Sequence, residues 1–462
     1  MPLAESHPEI VQEEAHEQGL HHQLTAGQMT MVALGGSIST GLLLGSAASL
    51  QIAGPSVILS YIIAAFIAYT VAMALGELAS THPAAGSFGI YGELYLTPYL
   101  GFLCRAGYWA SIAFSIGAEL VASATYMTYW FPAVPGELWV VLFSVALVLV
   151  NLLSVGSFGR FEFWLSMIKF ATIVAFILAG SALLLSGHVA RQYTAHGGFL
   201  PRGPAAPLLA VFIAIYTFGG VEMLAVTTGE SRSSKDIPHA TRLTFFLLAA
   251  LYLGAIIVLA GVIPWNQVGG SESPFVSVLS RARIPAAALL MNFVVLTAAL
   301  SGANAKLYVA SRLLFSMGRT GWAPASLGRL NAAGSPHHAL LVSSYGIVTA
   351  LIIENWAPQQ AFLYILGAAF SGLILSWIVS LAAHVSFRWR LTPQQVAALP
   401  MRSPLGVWGS MLGFVLVSAA VIQTLRSSRI NEIGGLAFFA VLTIAYIFLR
   451  RRRQTPRPEL PT

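Results

Sequence analysis

Residues 35–41 read Gly-Gly-Ser-Ile-Ser-Thr-Gly and interrupt an apolar run that extends from about residue 27 to residue 50. Residues 217–222, Thr-Phe-Gly-Gly-Val-Glu, interrupt a second apolar run in the same way. A helix that unwinds in lipid leaves backbone N–H and C=O groups unpaired, at several kcal/mol each, unless those groups face a cavity or a ligand. The two stretches therefore predict a pair of helix breaks around a ligand site.

The composition indicates that lipid surrounds most of the chain. Of 462 residues, 56% are hydrophobic and 9% are charged, whereas a soluble domain carries about 25% charged residues. A membrane-spanning helix needs roughly 20 apolar residues. We predict an all-α integral membrane protein with about twelve spans, at residues 27–50, 54–79, 99–131, 137–155, 161–186, 206–230, 239–263, 285–316, 339–354, 360–386, 405–425 and 431–449.

The positively charged residues set the predicted orientation. An even number of spans places both termini on one side, and the loops and tail of that side hold most of the lysines and arginines. Because such residues accumulate in cytoplasmic loops, both termini are predicted to be cytoplasmic, in a bacterial inner membrane. The net charge of +7 follows from this distribution and does not indicate nucleic-acid binding.

The two breaks also divide the chain into two halves. The first and sixth spans would begin a five-plus-five inverted repeat. We predict a disordered cytoplasmic tail at 1–23, without the apolar segment of a signal peptide, and a ten-helix core at 24–390. Its repeats lie at about 24–186 and 206–390, two C-terminal helices follow at 391–450, and a basic cytoplasmic tail occupies 451–462. The single cysteine, Cys104, excludes an intramolecular disulfide and gives no metal cluster.

The backbone at the breaks offers opposite partial charges. Freed N–H groups near Ser39, Thr40 and Gly41 carry the positive end of a helix dipole and suit a carboxylate. Freed carbonyls near Thr217 and Gly219 suit an ammonium group, so together the breaks suit a zwitterionic α-amino acid. An alternative is that the glycines only permit close helix packing. The candidate substrate-binding residues are Ser37, Ile38, Ser39, Thr40, Gly41, Thr217, Phe218, Gly219 and Gly220, with Phe218 also a candidate cap over the substrate.

Charged residues within spans are costly and indicate function. Three charged residues are candidates for proton coupling: Glu222, Lys169 and Glu119. The alternative is that Glu119 or Glu222 forms a fixed ion pair with Lys169. Lys306 lies about two turns from the cytoplasmic end of its span, so we predict that its long side chain snorkels to the interface.

Two further carboxylates, Glu77 and Glu230, lie near the cytoplasmic ends of the second and sixth spans. Each is a candidate for an inner gate that pairs with loop arginines. Each is equally well explained as a solvated charge at a helix end.

Six motifs in order, from about Leu20 to the twelfth span, resemble bacterial amino-acid permeases of the amino acid–polyamine–organocation superfamily. They are GGSISTGLLLGSA at 35–47, PAAGSF at 83–88, GAEL at 117–120, FEFW at 161–164, FGGVEMLAVTTGES at 218–231 and SGANAKLYVASRLLFSMGRTGWAP at 301–324. The resemblance implies a LeuT-like fold, with ten core helices in two inverted repeats and two more at the C-terminus. It also implies proton-driven uptake and a contact between Lys169 and the first break. Ser39 departs from the family pattern, where glycine is usual, and so does Lys306, where a small residue is usual.

We therefore expect a secondary active transporter that imports amino acids by proton symport and alternating access. Its partners would be an amino-acid substrate, protons and membrane lipids, with no cofactor, no metal and no nucleic acid; the oligomeric state stays open. The alternatives are an exchanger or amine carrier on the same fold, and an amino-acid sensor that does not transport. An enzyme is not expected, because the chain has no HExxH metal motif.

Overall fold

The computed structural model describes residues 23–43, 45–83, 86–152, 155–186, 192–268, 274–281, 287–356, 361–427 and 429–453. These residues form nineteen α-helices joined by short turns and 3-10 segments. The helices are α1 Ala26–Ser37, α2 Thr40–Leu43, α3 Gly45–Ala53, α4 Val57–Thr81, α5 Ser87–Tyr95, α6 Pro98–Thr128, α7 Gly136–Leu152, α8 Val155–Leu185, α9 Ala206–Thr217, α10 Met223–Thr227, α11 Ile237–Val262, α12 Pro274–Arg281, α13 Ala287–Arg319, α14 His337–Ser343, α15 Tyr345–Trp356, α16 Ala361–Trp389, α17 Pro393–Ala397, α18 Gly406–Ser427 and α19 Arg429–Arg453.

Every predicted span carries one helix or a run of consecutive helices. Within the described ranges, seven helical stretches are long and apolar enough to cross a membrane, and two shorter ones, α7 and α9, are also apolar. These findings support a multi-pass membrane protein, while the number twelve stays a prediction. Three α-helices were not predicted: α5, in the segment after the second span, and the short α12 and α17.

Both predicted interruptions are real breaks. Helix α1 ends at Ser37, Ile38 leaves the helical region with φ −78° and ψ 86°, and α2 begins at Thr40. Helix α9 ends at Thr217 and α10 begins at Met223. Between them Gly220 takes φ +110°, which a residue with a Cβ adopts only under strain. The backbone therefore leaves the helix at the same kind of Gly-rich segment in both places.

A small group of helices forms the centre of the bundle. Helix α6 packs extensively against α13 and α16, and α1 packs against α8, α11 and α13. Helix α9 packs against the unbroken α4 and against α3, which continues the first broken span, so the two broken spans also pack on each other. This arrangement holds the two breaks inside a continuous hydrophobic core, in which Cys104 is also fully buried.

The chain ends are only partly described. The predicted N-terminal tail lies outside the described residues except for Gln23, and the predicted basic tail does so beyond Arg453. Helix α19 continues to Arg453, three residues into that predicted tail. Near the N-terminus, Leu24 forms an isolated parallel bridge with Ser231, in which the Leu24 N–H donates to the Glu230 carbonyl at 3.0 Å.

Candidate substrate and coupling site

The two helix breaks touch each other. A Cβ added to Gly220 would lie 2.8 Å from the backbone nitrogen of Ser37, well inside van der Waals contact. A Cβ added to Gly41 would lie 3.3 Å from the Tyr216 ring, at the end of α9. Glycine at these positions therefore brings the backbone of one break against the other. The close-packing interpretation of the glycines and the binding-site interpretation apply to the same contact.

A cavity opens beside this contact. Three of the predicted binding residues line it: Ser39, Gly219 and Gly220. Its other polar walls come from α6, α9 and α13, and its apolar walls come partly from α16. The remaining lining residues are Gly36, Tyr108, Ser111, Ile112, Ser115, Tyr216, Glu222, Met223, Lys306, Ala369 and Leu373.

Other predicted binding residues lie behind the cavity wall. The Thr217 hydroxyl lies 3.3 Å from the Gly41 carbonyl and 3.2 Å from the Tyr61 hydroxyl, so it joins the two broken helices. The Phe218 ring packs edge-on against Tyr252, with centroids 4.9 Å apart, and does not line the cavity. The cap role of Phe218 stays a prediction, and the aromatic residues that line the cavity are Tyr108 and Tyr216.

The remaining binding candidates belong to the first break. The Ser37 hydroxyl donates back to the Ala33 carbonyl at 2.8 Å, as expected in the last turn of a helix. The Ser39 carbonyl accepts from the Leu42 and Leu43 N–H groups, which begins α2. The N–H groups of Thr40 and Gly41 precede these first bonds, and neither residue is among those that line the cavity.

Lys169 lies against the first break. Its ammonium donates to the Gly35 carbonyl at 2.7 Å and to the Ile38 carbonyl at 3.1 Å. A cation at the end of a helix satisfies carbonyls that have lost their partners. The alternative that pairs Lys169 with Glu119 or Glu222 is wrong, since its hydrogen bonds go to the backbone of the break.

The nearest charge to this lysine is Glu162, which we did not predict as a site residue. A Cβ on Gly35 would collide with the Glu162 carboxylate, and the charges of Glu162 and Lys169 interact. The carboxylate accepts from Ser301, from Asn304 Nδ2 at 2.7 Å and from Ser166 at 3.1 Å. The sequence could have indicated Glu162 through its spacing of seven residues from Lys169, which places both side chains on one face of α8.

Glu222 is buried directly after the second break. Its carboxylate accepts from the Tyr108 hydroxyl, from the Gly220 N–H at 2.9 Å and from Trp377 Nε1 at 3.0 Å. All three donors are uncharged. The Gly220 contact ties the carboxylate to the backbone that approaches Ser37, so a change of charge at Glu222 acts directly on the junction of the breaks.

Lys306 and Glu119 form a buried ion pair at the cavity, with 2.6 Å between Nζ and Oε1. The lysine Nζ is also 3.5 Å from the Ser39 hydroxyl. The prediction that Lys306 snorkels to the interface is therefore wrong, because its side chain is buried and points to α6. Glu119, a candidate for proton coupling, is thus the partner of a lysine, although a different one from that expected.

The two gate candidates are buried and paired with arginines. Arg388 Nη2 donates to Glu77 Oε2 at 2.7 Å, and His384 Nε2 lies 3.1 Å from Oε1. Arg312 Nε donates to Glu230 at 3.2 Å, and its guanidinium stacks 3.7 Å from the centroid of the Tyr308 ring. Both arginines belong to helices, α16 and α13, and not to loops as predicted. The alternative of a solvated charge is wrong for both carboxylates.

Long apolar helices and two broken helices in contact, with a cavity beside them that several polar side chains line, indicate a multi-pass membrane protein with a candidate ligand site. A model of the family described as amino acid permease matches residues 28–452, nearly the whole chain. The protein belongs to the amino acid permease family.

Relatives of known name fall in the same family. The chain is 34% identical over 447 residues to the aromatic amino acid transport protein AroP of Escherichia coli (strain K12), covering 95% of this chain and 98% of that protein. It is 32% identical to the gamma-aminobutyric acid permease of Bacillus subtilis (strain 168), covering 95% of each chain. It is also 32% identical to the probable threonine/serine transporter YbxG of the same organism, covering 92% and 94%.

Proposed function

We propose that this protein is a secondary active transporter that imports an amino acid into a bacterial cell by proton symport. The observation that carries the proposal is the contact between two helix breaks beside a buried polar cavity. Matched breaks in the two halves of a chain mark the substrate site of transporters built from inverted repeats. Membership of the amino acid permease family, whose named relatives carry amino acids, supports the same function.

The proposal includes the architecture in full. Ten helices of a five-plus-five, LeuT-like inverted repeat would form the core, with α18 and α19 outside it, about twelve spans, and both termini in the cytoplasm. Support comes from α1 and α9, each of which ends at a Gly-rich break, and from the packing of α9 on α3, the continuation of the first span. Alternating access would then move the surrounding helices about a fixed site.

Substrate binding follows from the chemistry of the breaks. The N–H groups of Thr40 and Gly41 would receive the α-carboxylate. The Thr217 and Gly219 carbonyls would receive the ammonium group, because the Phe218 and Gly220 carbonyls already accept from the Val221 and Met223 N–H groups. Glycine at 220 lets the two breaks touch, because any Cβ there would collide with Ser37.

Proton coupling is assigned to Glu222 by the distribution of charges. Lys306 is paired with Glu119, and the charge of Lys169 interacts with that of Glu162. The described donors to Glu162 and to Glu222 are all uncharged, but Glu222 is the one that directly follows the second break and binds its backbone. Burying an unpaired charge is costly, so protonation of Glu222 would stabilise the occluded state, and loss of the proton would favour reopening.

The energy available from one proton is sufficient for uptake. Entry down about 100 mV yields roughly 2.3 kcal/mol, and one pH unit adds about 1.4 kcal/mol. At about 1.4 kcal/mol per tenfold, this supports an accumulation of several hundredfold for a neutral amino acid. The paired Glu77–Arg388 and Glu230–Arg312 would close the cytoplasmic path during loading.

The test is uptake of each of the common amino acids, radiolabelled, into liposomes that hold the purified protein. Each is measured with and without an inward proton gradient, and with empty or amino-acid-loaded vesicles. Gradient-dependent uptake into empty vesicles is expected. Uptake only into loaded vesicles would show an exchanger, and binding without uptake would show a sensor.

A further inference from the structure

The cavity contains a cation that the substrate contacts described above do not use. Lys306 lines the cavity and is buried, with 6% of its surface exposed. Ser39, in the first break, is its neighbour, since the Lys306 Nζ and Ser39 Oγ are 3.5 Å apart although 267 positions separate them in the sequence.

The hydrogen bonds of Lys306 leave donor capacity at the cavity. An ammonium group has three N–H donors. The described acceptors are Glu119 Oε1, at 2.6 Å, and the Ser39 hydroxyl at the limit of hydrogen-bonding distance. The long contact to Ser39 and the third donor are available to a ligand in the cavity that the lysine lines.

A purely structural role explains this pair poorly. Replacing a buried ion pair by apolar residues of similar volume is often neutral or stabilising. The lysine of the pair also lines the cavity, and its Nζ lies 3.5 Å from the hydroxyl of Ser39 in the first break. Glu119 balances the charge of Lys306, so that this cation is not buried alone.

Building on the proposed function, we propose that Lys306, assisted by the Ser39 hydroxyl, binds a carboxylate of the substrate. On binding, the substrate carboxylate would take the free donor of Lys306 while Glu119 keeps its own. Ligands with a carboxylate at this position would therefore bind more tightly than the matched amides that lack it.

An amino acid offers two sources of a carboxylate, its α-carboxylate and its side chain, and matched probes distinguish the two. L-Alanine against L-alaninamide, and L-phenylalanine against L-phenylalaninamide, test the α-carboxylate. L-Glutamate against L-glutamine tests a side-chain carboxylate. Each probe is measured in two ways on the full-length protein: as an inhibitor of the uptake of a radiolabelled amino-acid mixture into liposomes, and by isothermal titration in detergent.

Three variants separate the role of the cation from that of the pair. Lys306→Met with Glu119→Gln removes both charges of the pair and leaves side chains of similar length, so neither charge is left without its partner. Glu119→Gln alone keeps the cation, and Lys306→Met alone leaves a buried carboxylate without its lysine. The double variant carries the test, because the single lysine variant risks misfolding.

The wild-type protein should prefer the carboxylate member of at least one pair by about tenfold or more, as for one charge-assisted hydrogen bond. Glu119→Gln should keep or enlarge this preference, and the double variant should lose it while still binding. An unchanged preference in the double variant, for every pair, would overturn the proposal. Binding with the expected preference but without uptake would instead refute only the transport function, and no binding by the wild-type protein would refute both.

Discussion

Replacing Gly220 by alanine tests whether the contact between the two breaks holds the site together. Gly220 has φ +110°, and the added Cβ would lie 2.8 Å from the Ser37 nitrogen, which is 0.6 Å short of the 3.4 Å at which ordinary contact begins. The backbone strain alone costs about 1–3 kcal/mol. The collision in addition forces the second break away from the first.

The displacement can be converted into a loss of binding. The Gly220 N–H donates to Glu222 at 2.9 Å, and a shift of 0.6 Å would lengthen this bond to the limit of hydrogen bonding. A buried carboxylate that loses a donor is destabilised by about 1–3 kcal/mol. We therefore expect the apparent affinity for substrate to fall by about tenfold or more, with a matching loss of uptake rate.

Gly203→Ala is the matched control. Gly203 also has a left-handed conformation, with φ +83°, but an added Cβ has no atom within 4 Å. It therefore carries similar backbone strain without the collision. Both variants are compared by uptake into liposomes and by substrate titration, after size-exclusion chromatography has shown that they are folded. If Gly220→Ala transports as well as Gly203→Ala, the junction of the breaks does not position the substrate.

Three further substitutions test other parts of the site. Glu222→Gln should abolish accumulation driven by a proton gradient while exchange into loaded vesicles continues, because the variant binds without a titrating group; preserved accumulation would remove Glu222 from coupling. Lys169→Met should abolish uptake in a folded protein, because the Gly35 and Ile38 carbonyls lose their donor; unchanged coupled uptake would show that the lysine has no such role. Arg388→Gln leaves the buried Glu77 without its guanidinium partner, so the free energy of unfolding, measured by denaturation in detergent, should fall by about 3–5 kcal/mol. Adding Glu77→Gln should recover much of this loss, and no recovery would contradict the pairing.

The features that sequence predicted well depend on local chemistry. The breaks at 35–41 and 217–222 were predicted because glycine and small polar residues interrupt long apolar runs, and the backbone leaves the helix at both. The ranges of the helices followed from hydropathy in the same way. Lys169 was placed at the first break only through the family resemblance, and the structure puts it there.

The features that the sequence did not predict depend on which faces of helices distant along the chain meet in the fold. Lys306 was predicted from its distance along α13 to the cytoplasmic end, but the helix turns that side chain toward Glu119 on α6. Tyr108 and Trp377 reach Glu222 from two other helices, and neither has a local signal that separates it from packing aromatics. Helix α5 was treated as part of a loop because it is too short to span a membrane.

The burial of Cys104 has a practical consequence for labelling. It is the single cysteine of the chain, and its side chain has no exposed surface. Thiol reagents dissolved in water therefore meet a protein that behaves as though it had no cysteine. A cysteine introduced at Ser115, on the cavity wall, would be the one accessible thiol, and its rate of modification with and without substrate would report directly when the cavity opens to each side of the membrane.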